Sequence, residues 1–235
     1  MTVAIVKYNA GNIYSVIHAL QRLGVEPVLT DDAETLRKAD KVIFPGQGEA
    51  SNAMQYLREH GLDEVIRSLK NPILGICIGQ QLMCRHSEEG NVDCLGIFDV
   101  DVVRFQPQRH EDKVPHMGWN TISCKGETLE GSEGLKGLNG SEGSDGSNGL
   151  KSSNGSESLK DSESICPLFK GFKGNEYVYF VHSYYVPLCP DTAAVTDYIL
   201  PFSAAMHRDN FYATQFHPEK SGSVGERILK NFLEL

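Results

Sequence analysis

Short apolar runs alternate with helical spacings along the first half of the chain. The apolar runs predict four β-strands, at 3–6, 25–29, 42–44 and 72–76. Between and after these strands, apolar residues recur every three or four positions. This spacing predicts helices at 12–23, 32–39, 79–86 and in two stretches that end near 60 and 69. Strands that alternate with helices are typical of βαβ units and of a mostly parallel sheet.

The second half of the chain contains few helical patterns. Its strand-like runs lie at 97–105, 176–186, 193–199 and 211–216, and a helix is predicted at 224–232. The whole pattern therefore predicts an α/β fold. We expect an open, mostly parallel twisted sheet with helices on both faces, plus a smaller antiparallel extension.

Composition narrows the possible classes of function. The chain has 235 residues and a formal net charge of -9. This suits a single domain over 1–235 and argues against nucleic acid or an anionic membrane as the main partner. The sequence shows no signal-peptide pattern and no apolar window long enough to span a membrane. The cysteines form no CxxC pair, so we expect reduced thiols in the cytoplasm and no metal site.

One segment differs in composition from the rest of the chain. Residues 126–164 are rich in glycine, serine and acidic residues and contain no aromatic residue. Such a stretch cannot bury enough apolar surface to offset the entropy lost on ordering. The composition predicts a low-complexity surface insertion that is disordered or mobile.

Cys77 lies where the fourth predicted strand changes to a helix, between Gly75 and Gly79. This is the pattern of a nucleophile elbow, with cysteine in place of serine. The glycines permit a tight turn, and the following helix directs its N-terminal amides at the sulfur, which favours the thiolate. The alternative is a buried structural cysteine. The glycines and the change from strand to helix favour the nucleophile.

A cysteine nucleophile needs a base, and His217 is the best placed of the eight histidines. It ends the run at 211–216 and precedes Pro218, which biases His217 towards an extended backbone. Residues two apart in an extended chain share a face, so Glu219 can orient the imidazole. The sequence therefore predicts a nucleophile, a base and an orienting carboxylate.

Acyl chemistry also needs donors for an oxyanion. The stretch Pro-Gly-Gln-Gly at 45–48 follows the third predicted strand, which we expect to neighbour the fourth in the sheet. Backbone N–H groups of Gly46 and Gln47 can turn towards Cys77, and the N–H group of Ile78 is a further candidate. The alternative for 45–48 is an ordinary strand-to-helix turn.

Three motifs resemble the class I, triad-type glutamine amidotransferases, whose fold is flavodoxin-like. They are Gly-Ile-Cys-Ile-Gly-Gln-Gln at 75–81, Pro-Gly-Gln-Gly at 45–48 and His-Pro-Glu at 217–219. Further stretches are similar to the glutaminase subunit of imidazole glycerol phosphate synthase, at 8–16, 115–120, 181–184 and 217–222. The resemblance covers nearly the whole chain except 126–164.

The resemblance implies a triad that hydrolyses glutamine without a cofactor or a metal. Cys77 would attack the side-chain amide and form a glutamyl thioester. His217 would pass a proton to the departing ammonia, and Glu219 would hold His217. The residues that would hold glutamine are Gly48, Gln81, Ser183 and Tyr184.

The resemblance also implies a protein partner. Ammonia would pass to a (β/α)8-barrel cyclase subunit in a heterodimer that makes imidazole glycerol phosphate and an aminoimidazole carboxamide ribotide in histidine biosynthesis. No cyclase pattern follows the amidotransferase motifs, so we expect the acceptor site on another polypeptide. Asn12, Trp119 and Lys220 match interface positions of the family. Trp119 could equally be a core aromatic, and Lys220 a solvated surface lysine.

Three alternatives share parts of this pattern. The glutaminase subunit of another synthase, such as one for anthranilate or pyridoxal phosphate, would carry the same triad. A stand-alone γ-glutamyl hydrolase would use the triad without a partner. A non-catalytic regulatory domain on this fold is disfavoured by the intact Cys77, His217 and Glu219.

Overall fold

A computed structural model describes residues 1–8, 11, 13–46, 48–124 and 166–235. The predicted insertion at 126–164 lies outside the described residues, as do Asn12 and Gln47. The helices are α1 (Ile13–Arg22), α2 (Ala33–Lys38), α3 (Ala50–Glu59), α4 (Leu62–Ser68), α5 (Ile78–Met83) and α6 (Gly222–Leu233). Every helix in the described ranges is too short or too polar to cross a bilayer.

The strands alternate with helices only as far as β4. The strands of the first half are β1 (Val3–Val6), β2 (Val28–Thr30), β3 (Lys41–Phe44), β4 (Ile73–Ile76), β5 (His86–Ser87) and β6 (Val92–Asp93). The strands of the second half are β7 (Asp101–Arg104), β8 (His116–Cys124), β9 (Glu176–His182), β10 (Tyr184–Tyr185), β11 (Thr192–Tyr198), β12 (Leu200–Arg208) and β13 (Phe211–Thr214).

Most strands belong to one large sheet, in the order β2-β1-β3-β4-β13-β12-β11-β8-β9. Neighbours from β2 to β13 run parallel, and neighbours from β13 to β9 run antiparallel. A small mixed sheet has the order β10-β7-β5-β6. The predicted α/β fold is confirmed, with the antiparallel strands continuing the parallel sheet.

Apolar side chains cover both faces of four of the parallel strands, β1, β3, β4 and β13. In β1, Val3 and Ile5 pack on one side with residues of α1 and α6, while Ala4 and Val6 pack on the other with residues of α2 to α5. A strand that is buried on both faces needs a continuous apolar run, which is what the sequence shows. The carboxyl ends of β3, β4 and β13 meet at one edge of this covered sheet.

The structure differs from the sequence pattern at several elements. The strand predicted at 25–29 is Val28–Thr30, and the pattern does not predict the short strands β5 and β6. The helix predicted at 79–86 ends at Met83, because Cys84 is extended and His86 begins β5. The run at 97–105 is a strand only over Asp101–Arg104. The pattern predicts neither β8 nor β12, which together contribute two long strands to the antiparallel half.

Candidate active site

Cys77 joins β4 to α5 at the carboxyl edge of the sheet. Its backbone angles are φ 53° and ψ -108°, and a positive φ costs free energy for a residue with a Cβ atom. Its N–H group donates to the Thr214 carbonyl at 2.7 Å, and its own carbonyl accepts from the Gln80 N–H group at 3.0 Å. Hydrogen bonds to β13 and within α5 therefore stabilise the strained turn at Cys77, which has the form of a nucleophile elbow.

Close backbone packing explains two glycines beside this turn. A Cβ atom on Gly79 would lie 2.2 Å from the carbonyl oxygen of Phe44. A Cβ atom on Gly46 would lie 2.0 Å from Cγ2 of Ile78. Both distances are far inside van der Waals contact, so Phe44 and Gly46 can lie against the first turn of α5 only because these side chains are absent.

Tyr8 supports the same loop from the end of β1. Its hydroxyl donates to the Pro45 carbonyl in a short hydrogen bond. Burial, together with the neighbouring Cys77, raises the pKa of Tyr8, so the hydroxyl is a neutral donor. Pro45 is therefore tied to the end of β1, while Gly46 packs against α5.

His217 follows β13, the strand next to β4. Its Nδ1 atom lies 2.8 Å from Oε1 of Glu219, and both side chains are almost fully buried. The His217 N–H group donates to the Tyr179 carbonyl at 2.9 Å, and the Ser221 hydroxyl donates to the His217 carbonyl at 2.6 Å. Among the described residues, Nε2 of His217 has no hydrogen-bond partner. The ring is thus fixed through Nδ1 while Nε2 is available.

The electrostatics of His217 favour its charged form. Burial alone would lower the pKa of His217, but the Cys77 sulfur and the Glu219 carboxylate outweigh burial and raise it. A negatively charged group beside the ring favours an imidazolium. A thiolate–imidazolium pair is the reactive state that cysteine nucleophiles use.

A pocket of about 450 Å³ opens over the sulfur, a size that suits a small metabolite. Its lining residues are Gly48, Cys77, Ile78, Gln81, Glu89, Pro115, Val181, His182, Ser183, Tyr184 and His217. The structure therefore brings most of the predicted site residues together. Gly46 packs behind the wall at Ile78, and neither Trp119 nor Lys220 lines the pocket.

Glu89 is a lining residue that the sequence patterns do not reveal. Its carboxylate accepts from the Ala50 N–H group at 3.1 Å. Burial raises the pKa of Glu89, although the bond from Ala50 opposes the rise. A half-buried carboxylate at the pocket wall can bind an ammonium group of a ligand. Glu89 belongs to no local motif, and only the tertiary fold places it here.

His182 also lines the pocket but is a poorer base than His217. Its Nδ1 lies 2.7 Å from the Tyr184 carbonyl oxygen, and its Nε2 lies 3.1 Å from Nδ1 of His116. Burial is the main reason that the pKa of His182 falls to about 3 and that of His116 to about 4. Both rings are neutral near pH 7, and both nitrogens of His182 are engaged.

Trp119 lies on an exposed apolar surface and not in the core. It is 56% exposed, and Met117 and Tyr177 are 64% and 58% exposed. We call these three residues the β8–β9 face, since Met117 and Trp119 alternate along β8 and Tyr177 lies on its partner β9. The alternative of a core aromatic at Trp119 is therefore wrong. Lys220 is partly exposed.

The motifs at this site extend into a match over nearly the whole chain. A family model for class-I glutamine amidotransferases matches residues 4–235. The chain belongs to the class-I glutamine amidotransferase family. This amidotransferase is 60% identical over 235 residues to the imidazole glycerol phosphate synthase subunit HisH of Bacteroides fragilis strain YCH46, with all of both chains covered. It is 38% identical to HisH of Escherichia coli strain K12, again with all of both chains covered.

Solved structures agree with the fold of this amidotransferase. A GMP synthase subunit of Thermoplasma acidophilum superposes with a TM-score of 0.62 at 20% identity. The comparison covers 100% of this chain and 93% of that one. At this identity the similarity shows a shared fold alone.

Proposed function

We propose that this amidotransferase is the glutaminase subunit of imidazole glycerol phosphate synthase. It hydrolyses glutamine to glutamate and ammonia, and the ammonia passes to a cyclase subunit. The main support is that Cys77, in a strained elbow, shares one pocket with His217, whose ring is held by Glu219. The full-length similarity to HisH supports this synthase over one for anthranilate or pyridoxal phosphate, and over a stand-alone γ-glutamyl hydrolase.

The proposed reaction has two halves. The Cys77 sulfur attacks the side-chain carbonyl carbon of glutamine and forms an S–C bond; the C–N bond then breaks, and His217 gives its Nε2 proton to the departing ammonia. Neutral His217 next takes a proton from water, which attacks the thioester. The S–C bond breaks, the thiolate returns and glutamate leaves. Glu219 holds the imidazole and stabilises its charged form throughout.

In this mechanism the oxyanion lies at the first turn of α5. The Ile78 N–H group is the first amide of that helix and so has no intrahelical acceptor. We propose it as one donor, and the loop at 45–48, through Gly46 or Gln47, as the source of the second. The close packing of Gly46 against Ile78 supports this choice because it places Gly46 at the same turn.

Five polar positions of the pocket are proposed to bind glutamine. Four come from the family resemblance and line the pocket: Gly48, Gln81, Ser183 and Tyr184. Glu89 is the fifth, and its carboxylate suits the α-ammonium group of glutamine.

We expect Glu89→Gln to raise the KM for glutamine roughly 10- to 100-fold, since a hydrogen bond to a charged group is lost. The kcat should change less than about threefold, because the α-ammonium group is distant from the reacting amide. Steady-state glutaminase kinetics measure both. Glu64→Gln is the matched control, since it removes the same charge from the exposed side of α4. An unchanged KM in Glu89→Gln would remove Glu89 from the binding site.

We propose the β8–β9 face as part of the surface that binds the cyclase, in a heterodimer in the cytoplasm. Exposed apolar patches of this kind mark interaction surfaces. The face lies close to the pocket, because Val181 pairs with Met117 and also lines the pocket. Asn12 and Lys220 are assigned to the interface through the family resemblance.

Glutaminase turnover should rise about 10- to 100-fold when the cyclase is added together with its nucleotide substrate. Trp119→Ala should raise the Kd of the complex by a similar factor, because large aromatic side chains dominate such interfaces. Calorimetric titration and a glutamate-release assay measure the two effects. Leu188→Ala is the control, because Leu188 is 52% exposed outside the β8–β9 face. High turnover without any response to the cyclase would instead favour a stand-alone hydrolase.

A further inference from the structure

The carbonyl oxygen of Tyr184 accepts two hydrogen bonds beside the pocket. Nδ1 of His182 lies 2.7 Å away and Nε2 of Gln81 lies 3.0 Å away. A carbonyl oxygen can only accept, so both nitrogens must carry hydrogen. This one backbone atom therefore sets the tautomer of His182 and the orientation of the Gln81 amide.

The orientation of Gln81 in turn sets that of Gln215. The Nε2 atom of Gln81 also lies 3.0 Å from Oε1 of Gln215, and both side chains are buried. Because Gln81 donates, Gln215 must present its oxygen to Gln81. The NH2 group of Gln215 is then directed the other way, where it lies 3.7 Å from Sγ of Cys77. Gln215 can only donate to the sulfur.

A second chain of hydrogen bonds leads from the Tyr184 carbonyl through His182 to residues of β8. With hydrogen on Nδ1, neutral His182 accepts at Nε2 from Nδ1 of His116, 3.1 Å away. The Nε2 atom of His116 then accepts from Nδ2 of Asn120 at 3.4 Å, and Nδ2 also donates to the Asp197 carbonyl at 3.1 Å. Every donor in this chain of hydrogen bonds meets an acceptor. Asn120 donates to His116, His116 donates to His182, and His182 donates to the Tyr184 carbonyl.

We propose that Gln215 is a further catalytic residue of glutamine hydrolysis, which donates a hydrogen bond to the Cys77 sulfur in a direction imposed by the Tyr184 carbonyl through Gln81. This rests on the proposed function for the reaction itself. Gln215 transfers no proton. Its N–H group stabilises the thiolate before attack and again when the S–C bond of the thioester breaks and the electron pair returns to sulfur.

The direct test measures the sulfur and not the reaction with glutamine. Alkylation of Cys77 by iodoacetamide, followed against pH by mass spectrometry of the resting protein, reports the thiolate population. Gln215→Leu keeps the volume but removes the donor. Its alkylation rate at pH 7 should fall roughly tenfold, and the midpoint of its pH profile should move upward. The kcat for glutamine should fall by a similar factor with little change in KM.

Two further variants complete the experiment. Gln80→Leu is the control, since Gln80 is a buried glutamine of α5 whose amide donates to the Ser203 carbonyl at 3.1 Å and not to sulfur; it should keep the alkylation profile of the native protein. Gln215→Glu keeps the oxygen that faces Gln81 but places a second oxygen beside the sulfur, so its profile should move upward at least as far as that of Gln215→Leu.

The outcomes separate this inference from the proposed function. A pH profile that is unchanged in both Gln215 variants overturns the inference, whatever the glutamine kinetics show. A shifted profile in a protein that does not hydrolyse glutamine supports the donor role of Gln215 and rejects the proposed function. If Gln215→Leu has a lowered Tm and so a fold defect, the pH profile of Gln215→Glu alone tests the donor role of Gln215.

Discussion

Replacing Cys77 by alanine should abolish glutamine-dependent synthesis while synthesis from added ammonium continues at the native rate. The Cys77 sulfur is the nucleophile that attacks glutamine in the proposed mechanism, and its loss should lower glutamine turnover roughly 10⁴-fold or more. Ammonium bypasses the glutaminase because it can reach the cyclase from solution. The two rates are measured in the reconstituted complex by following formation of the cyclase product with saturating glutamine or with ammonium salts.

Cys94→Ala is the matched control for this experiment. Cys94 is buried like Cys77, but it lies after β6 and does not line the pocket. The control should keep both activities. If glutamine- and ammonium-dependent synthesis fall together in Cys77→Ala, Cys77 is needed for the complex itself, and the proposed division of labour between two subunits is wrong.

Four strands of the parallel half, β1, β3, β4 and β13, are predictable because every residue in them is buried, whereas the exposed edge strand β2 is displaced from its predicted run. Strands such as β1 and β4 are covered on both faces, so their sequences are continuous apolar runs. The two long strands that the sequence does not predict, β8 and β12, lack the usual alternation or the usual residue types of a strand. In β8 the apolar side chains of Met117 and Trp119 face outward while His116 is buried, which inverts the expected alternation. In β12, Pro201 and a run of small residues give little strand signal.

The predictable part of the site is the part that local chain geometry determines. The glycines on either side of Cys77 predict its turn, and the spacing of two residues between His217 and Glu219 predicts their contact. Glu89 and Gln215 have no such local signal. The contact between Gln215 and Gln81 joins positions 134 residues apart, and it exists only because β13 lies next to β4 in the sheet.

Exchanging Glu219 for glutamine should lower the kcat of the glutaminase by roughly 10²- to 10⁴-fold and narrow its activity on the alkaline side. Glutamine keeps an oxygen that accepts from Nδ1 of His217, so this variant removes the charge while it preserves the hydrogen bond. The imidazolium that forms during the reaction then loses its neighbouring carboxylate. The pH profile of kcat and of kcat/KM is the measurement.

The direction of the pH effect follows from the cause of the His217 shift. The Cys77 sulfur and the Glu219 carboxylate raise the pKa of His217 against the effect of burial, so the imidazolium persists to higher pH than free histidine allows. Activity that needs this form is present below that pKa and is lost as pH rises through it. In Glu219→Gln the loss should begin at lower pH. Glu226→Gln, which removes an exposed carboxylate paired with Arg22, is the control and should keep the native profile. An alkaline limb that is identical in the native protein and Glu219→Gln would show that Glu219 does not stabilise the imidazolium, and its role in the triad would then be limited to position.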